Sequence, residues 1–180
     1  LQLTAAYATV ANDGIYTEPI FYTKVYDRNG KLILDKTPIS RTVLKESTAF
    51  LLTDAMAEST EGPAHVLYNT AIEANSYMCA IPGMAVSGKS GTTTNDNDAW
   101  FVGYTPYYTA GIWMGYDNNG ELQGSAVIRD IWQKIMARIH DGLPDIGFGE
   151  PPQGVTKALI CAKSGKLALE NVCSNDPRGD

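Results

Sequence analysis

Two apolar runs, residues 99–104 and 109–116, constrain this chain more than anything else in it. Both are rich in aromatic and β-branched residues, the composition of strands. Only a tight connection carrying Pro106 separates them. Parallel strands need a crossover of about a dozen residues or more, so these two must pair antiparallel. Behind them Ile128, Ile131, Trp132, Ile135 and Ile139 recur at helical spacing, the stripe of a long amphipathic helix stopped by Gly142 and Pro144.

The rest of the chain fits around this unit. Leu3, Ala6, Tyr7 and Val10 mark a first helix, ended at Asn12-Asp13-Gly14. Residues 21–26 and 31–34 flank the turn Asp27-Arg28-Asn29-Gly30 and read as a β-hairpin. A second helix is expected over 46–58, with Leu52, Ala55 and Met56 on one face and Gly62-Pro63 closing it. Residues 64–82 are ambiguous, with room for a short helix. Residues 84–87 read as a strand entering a Gly/Thr-rich stretch. Antiparallel strands with helices at both sequence ends predict an α+β fold.

Of the 180 residues, 44% are apolar and 19% charged, enough apolar material for a packed core and against disorder. The net charge of −6 offers no basic excess for a nucleic-acid backbone, so no nucleic-acid partner is expected. No apolar run approaches the ~18 residues of a membrane span, and no signal peptide is seen. The chain opens on Leu1 rather than Met, which suggests a piece of a longer parent. From Gly147 the composition shifts, and Pro151-Pro152 reads as a linker. The expected division is 1–145 and 146–180, the second part a small tail with Cys161 and Cys173.

Those two cysteines either close a short loop in an oxidising compartment or are unrelated thiols. Cys79 stands alone, and no Cys-x-x-Cys occurs. His65 and His140 lack partner ligands and read as structural. Asn95-Asp96-Asn97-Asp98 and Asp117-Asn118-Asn119 lack the Gly and terminal Glu of a calcium loop and read as solvated turns. No metal and no cofactor are expected. Tyr104, Tyr107, Tyr108 and Tyr116 read as packing on a half-buried sheet in preference to a sugar platform.

The chemistry concentrates in Gly88-Lys89-Ser90-Gly91-Thr92-Thr93. Gly83 to Ser90 fits the phosphate-loop expression G-x-x-x-x-G-K-[ST] letter for letter. That loop requires a strand before it and a helix starting at the Lys. Ile81-Pro82 is a poor strand end, and Gly91 to Asp98 is a poor helix. The other reading puts Lys89, Ser90 and Gly91 on a strand. Lys89 and Gly91 then share one face, and Ser90 takes the other. Gly91 admits close approach of a ligand backbone, and Thr92 brings a backbone N–H to the sheet edge. Such an edge suits an extended ligand ending in a carboxylate, added as a strand. A polar, Gly-rich strand end without a ligand is the plain alternative.

Lys89-Ser90-Gly91-Thr92-Thr93, Asp98-Ala99-Trp100-Phe101-Val102-Gly103-Tyr104-Thr105-Pro106 and Ile112-Trp113-Met114-Gly115-Tyr116-Asp117 together resemble the C-terminal half of a penicillin-binding protein transpeptidase domain, most like the bifunctional class A members. Ala5-Ala6-Tyr7-Ala8 and Ala11-Asn12-Asp13-Gly14 resemble the family helix ahead of the hairpin, and Cys161 with Cys173 resembles a two-Cys tail of some members. The family's Lys-Thr-Gly box carries Ser90 in the Thr place. The resemblance implies a partial serine β-lactamase/transpeptidase-like fold. It implies cross-linking of peptidoglycan stem peptides ending in D-Ala-D-Ala by a serine acyl-enzyme, with β-lactam antibiotics acylating the same serine.

By that resemblance Lys89 is catalytic and the Thr92 N–H is an oxyanion-hole donor. Ser90, Gly91, Thr92 and Thr93 bind substrate, and Cys161 pairs with Cys173. The family also needs S-x-x-K and S-x-N boxes. No serine in this chain has Lys three residues on or Asn two residues on. The nucleophile is therefore expected on an N-terminal remainder of the parent, extracytoplasmic and held to the membrane by a segment outside this chain. The fragment alone is expected to be inactive. Alternatives are a β-lactam-sensing or peptidoglycan-binding module of the same fold and, distantly, a phosphate-loop nucleotidase.

Overall fold

The computed structural model describes residues 1–61, 79–161 and 164–169. Residues 1–150 and 151–180 form two compact units. The larger unit is α+β. Helix α1 (Gln2–Ala11) leads into β1 (Ile15–Thr17), then the hairpin β2 (Lys24–Tyr26) and β3 (Leu32–Asp35), then β4 (Ser40–Thr42) and α2 (Glu46–Glu61). The strands β5 (Ser87–Thr92), β6 (Asp98–Tyr104) and β7 (Thr109–Gly115) follow, and α3 (Val127–Ile139) closes the unit. The three last strands make one antiparallel sheet in the order β5-β6-β7, as the short Pro106 connection requires.

The hairpin forms where the turn residues place it. Gly30 takes φ +79°, and the Asp27 carboxylate accepts from the Asn29 and Lys31 N–H groups at 2.8 and 2.9 Å. Its first strand is shorter than expected, and Phe21 lies outside it, exposed. The pairing of β1 with β4 was not anticipated. Each has three residues, and the chain between them is occupied by the hairpin, so neither carries a local period. Gly14 makes this join possible. It has φ +86°, and a Cβ there would run into the Leu44 carbonyl.

Register sets the two faces of the sheet. Directly paired residues share a face, so Ala99, Phe101 and Gly103 lie on one side and Trp100, Val102 and Tyr104 on the other. Helix α3 covers the Phe101 side, its Trp132 ring meeting Phe101 edge-on at 5.0 Å and its indole N–H donating to the Ala110 carbonyl at 2.9 Å. Helices α1 and α2 cover the other side. A Cβ on Gly111 would lie 2.6 Å from Thr4 Oγ1, so α1 passes very close to β7.

The buried helix faces differ from the stripes expected of them. In α3 the buried residues are Ile128, Trp132 and Met136, while Ile131, Ile135 and Ile139 are exposed. In α1 they are Ala5 and Thr9, and Leu3 is exposed. In α2 they are Ala49 and Thr53, and Leu52 and Ala55 are exposed. For α1 and α2 the reason is distance: they lie close on the sheet and can bury only small side chains there, whereas α3 buries large ones.

The main core joins Cys79, Ile81, Met84, Val86, Ala99, Phe101 and Leu122 to the buried face of α3. His140 ends α3 and is buried. The Met136 carbonyl can only accept, so Nδ1 donates to it at 2.7 Å, and Nε2 accepts from the Thr105 hydroxyl at 2.7 Å. His140 is thus structural, as expected, and His65 lies outside the described residues. Phe148 packs edge-on against Tyr104, which places residues 146–150 with the larger unit. In the smaller unit Ile160 bridges Leu167 across a turn at Gly165, and Cys161 is buried. Cys173, and with it the expected pairing, lies outside the described residues.

Candidate functional site

The strand at the site starts later than its sequence suggests. Met84 makes an isolated bridge with Ile81, and the continuous strand runs over Ser87–Thr92. Residues 84–87 thus lead into the strand, with only Ser87 inside it. A strand through Lys89 is incompatible with the phosphate-loop reading, which needs a helix to begin there.

Ser87 anchors β5 on α2. Its hydroxyl donates to the Thr53 carbonyl, and the Thr53 hydroxyl is 2.8 Å from Tyr104 Oη. This buried polar cluster ties α2 to two strands at once. Burial pushes the Tyr104 phenol above its usual range, with the hydrogen bonds from Thr53 and Ser87 acting against the shift. Tyr104 is wholly buried and Tyr107 packs against His140, so these rings are packing residues.

Beyond Ser87 the strand emerges from the protein. Gly88 is buried, and a Cβ there would stand 2.7 Å from the Phe101 ring. Lys89, Gly91 and Thr92 are exposed, and Ser90 is half-buried. A Cβ on Gly91 would meet only Trp100 Cβ, at 3.6 Å, so packing does not demand glycine there. β5 is the outer strand, and among the described residues no strand pairs with its far edge.

The expected alternation holds. Lys89 pairs with Val102 and Gly91 with Trp100, on the side of α1 and α2. Ser90 pairs with Phe101 and Thr92 with Ala99, on the side of α3. The Lys89 ammonium donates to the Ser90 carbonyl at 2.8 Å. Thr93 is differently placed. Its hydroxyl accepts from the Asp98 N–H at 2.8 Å and reaches the Asp98 carboxylate at 3.1 Å, so it shapes the loop. That loop is a 3₁₀ turn (Thr94–Asp96) with Asn95 and Asp96 at positive φ, and Asp98 also accepts from the Trp113 indole at 2.9 Å.

On the Ser90 and Thr92 side lies a cleft of about 20 Å³, with Ser125 just ahead of α3 and Ile128 and Arg129 in its first turn as its other wall. Sequence reading missed Arg129. Its one signal was a cation beside the buried stripe in the first turn of a helix. Cys79, near Arg129, is buried, and burial pushes its thiol up to about 12 against the opposing pull of that charge. A larger cavity of about 250 Å³ sits between the Ile81–Met84 turn and the end of α3, and its one imidazole, His140, has both nitrogens engaged.

An α/β/α sandwich with a Lys-Ser-Gly-Thr outer strand is the architecture of a known family. A family model of the penicillin binding protein transpeptidase domain matches residues 1–137, and the chain belongs to that family. Among curated relatives, penicillin-binding protein 1A of Clostridium tetani is 35% identical over 98% of this chain and 22% of its own length. That of Clostridium perfringens is 34% identical over 98% and 20%. The chain thus spans about one fifth of these relatives. In fold it is similar to penicillin-binding protein 1A from Haemophilus influenzae (TM-score 0.78, 19% identity, 94% of this chain and 30% of that one). It is also similar to the penicillin-binding protein PonA1 from Mycobacterium tuberculosis (TM-score 0.61, 25% identity, 87% and 45%).

Proposed function

We propose that this chain supplies one wall of the active-site cleft of a serine D,D-transpeptidase that cross-links peptidoglycan. The observation that carries the reading is the outer strand β5, with Lys89, Ser90, Gly91 and Thr92 emerging from the core at an edge no described strand occupies. A stem peptide ending in D-Ala-D-Ala lies along this edge as an added strand, and Gly91 lets its backbone come close. The Ser90 and Thr92 hydroxyls bind the terminal carboxylate. Lys89 places a positive charge beside the attacked carbonyl and assists proton transfer, and the Thr92 N–H is one of two oxyanion donors. The nucleophilic serine, its lysine and the second oxyanion donor come from a part of the parent outside this chain, which has neither S-x-x-K nor S-x-N. Penicillins resemble the dipeptide and acylate the same serine. The parent is extracytoplasmic and anchored in the membrane by a segment outside these residues. Among the described residues no helix is long and apolar enough to cross a membrane.

The test is the second-order rate of labelling of the full-length parent by a fluorescent penicillin. Lys89→Ala is expected to slow it on the order of 10²–10³-fold, the cost of removing an electrostatic stabiliser. Lys89→Arg restores only part of the rate, because guanidinium is bulkier and does not release a proton. Wild-type labelling by a folded Lys89→Ala protein overturns the assignment.

A further inference from the structure

We propose that Arg129 is a substrate-binding residue of this cleft, its guanidinium taking the terminal carboxylate on the side of β5 that carries Ser90 and Thr92. The inference rests on the transpeptidase reading and adds a residue to it. Its first support is placement. Arg129 stands in the opening turn of α3, which the Trp132–Phe101 contact fixes on that side of the sheet, and it lines the cleft with Ser90, Gly91, Thr92 and Ser125.

The second support is an unmet bond. Arg129 Nε is buried and has no hydrogen-bond partner among the described residues. Native proteins seldom leave a buried donor unpaired, because its lost hydration is not replaced. Among the described residues, its chain neighbour Asp130 bonds Lys134 at 2.7 Å, and the Asp98 carboxylate holds Thr93 and Trp113. The Cys79 thiol stays neutral because burial raises it, and so offers no counter-charge.

The third support is a division between the two faces. Strand alternation puts Lys89 on the opposite side from Ser90 and Thr92, with its ammonium on the Ser90 carbonyl. A carboxylate bonded to the two hydroxyls therefore needs its cation from the α3 side. A guanidinium fork suits it, since it can present two parallel N–H groups to the two carboxylate oxygens. The cleft is narrow, about 20 Å³ and water-sized, so a carboxylate can seat one oxygen in it with the other at its mouth, whereas a bulky group does not fit.

The experiment compares two probes on the full-length parent: a penicillin with a free carboxylate and its uncharged methyl ester. Arg129→Met is expected to slow acylation by the free acid on the order of 10- to 100-fold, the range for a hydrogen bond to a charged group, and to leave the ester rate unchanged. Arg129→Lys recovers part of the loss. Equal slowing of both probes assigns Arg129 a purely structural role and overturns the proposal, as does no change on either. Where Arg129→Met does not fold, Arg129→Gln and Arg129→Lys decide by the same ratio of rates. Lys89→Ala and Ser90→Val are run in parallel. If they slow the free acid while the Arg129 variants do not, the cleft assignment stands and this inference fails. If none of them acts on either probe, the cleft assignment itself is wrong.

Discussion

The two faces of the β5-β6-β7 sheet are built on different principles. On one face α3 packs with large side chains, and Trp132, Met136 and Phe101 interlock in an apolar core. On the other, α1 and α2 lie close and bury Ala5, Thr9, Ala49 and Thr53, with leucines left pointing outward. The first face is held by apolar volume. The second is held by close approach and by the Thr53–Tyr104–Ser87 cluster. The strand bearing Lys89 sits between these layers, so its position depends on both.

Removing volume breaks the first face. Trp132→Ala is expected to destabilise the protein by ~3–5 kcal/mol, the usual cost of deleting a buried aromatic side chain. Denaturant unfolding of the whole chain measures it, and a loss under 1 kcal/mol would show that α3 is not the main anchor of the sheet.

Adding volume breaks the second. Ala49 is wholly buried in α2, so Ala49→Leu should cost about 1–3 kcal/mol through overpacking. Leu52, on the same helix but exposed, is the control: Leu52→Ala should stay within about 0.5 kcal/mol. Similar effects from the two substitutions would contradict the close-packed face.

The polar cluster comes next in size. Thr53→Val keeps the shape and removes a buried hydroxyl, leaving Tyr104 Oη without that partner, at a cost of roughly 1–3 kcal/mol. Because Ser87 bonds the Thr53 carbonyl, which survives, β5 stays docked. Hydrogen exchange on β5 should therefore change little while global stability falls. Selective loosening of β5 would mean that the hydroxyl, rather than the carbonyl, holds the strand.

The smallest effect is a pH slope. The Cys79 thiol is raised from 9.0 to about 12 and the Tyr104 phenol is raised from 10.0, both chiefly by burial. The unfolded chain gives up these protons first. Between about pH 9 and pH 12 the folded state holds more protons, so stability falls as pH rises through that window and is insensitive to these groups below it. Urea midpoints at several alkaline pH values should show the decline, and Cys79→Ala should reduce its slope. An equal slope in Cys79→Ala would remove Cys79 from the account.

What the sequence determined by itself was local. The α+β class, the hairpin at Asp27-Arg28-Asn29-Gly30, the antiparallel β6 and β7 and the placement of Lys89-Ser90-Gly91-Thr92 on a strand all follow from turn chemistry, short connections and a two-residue period. These are written in neighbouring residues. Which face each helix buries was decided by tertiary structure, because it depends on how near the helix lies to the sheet. Periodicity alone pointed to Leu52 and Ile135, whereas the structure buries Thr53 and Met136. The β1–β4 pairing and the arrival of Arg129 beside Ser90 belong to the same class. Each joins residues far apart in the chain, and their meeting is set by three-dimensional packing, which no local pattern encodes.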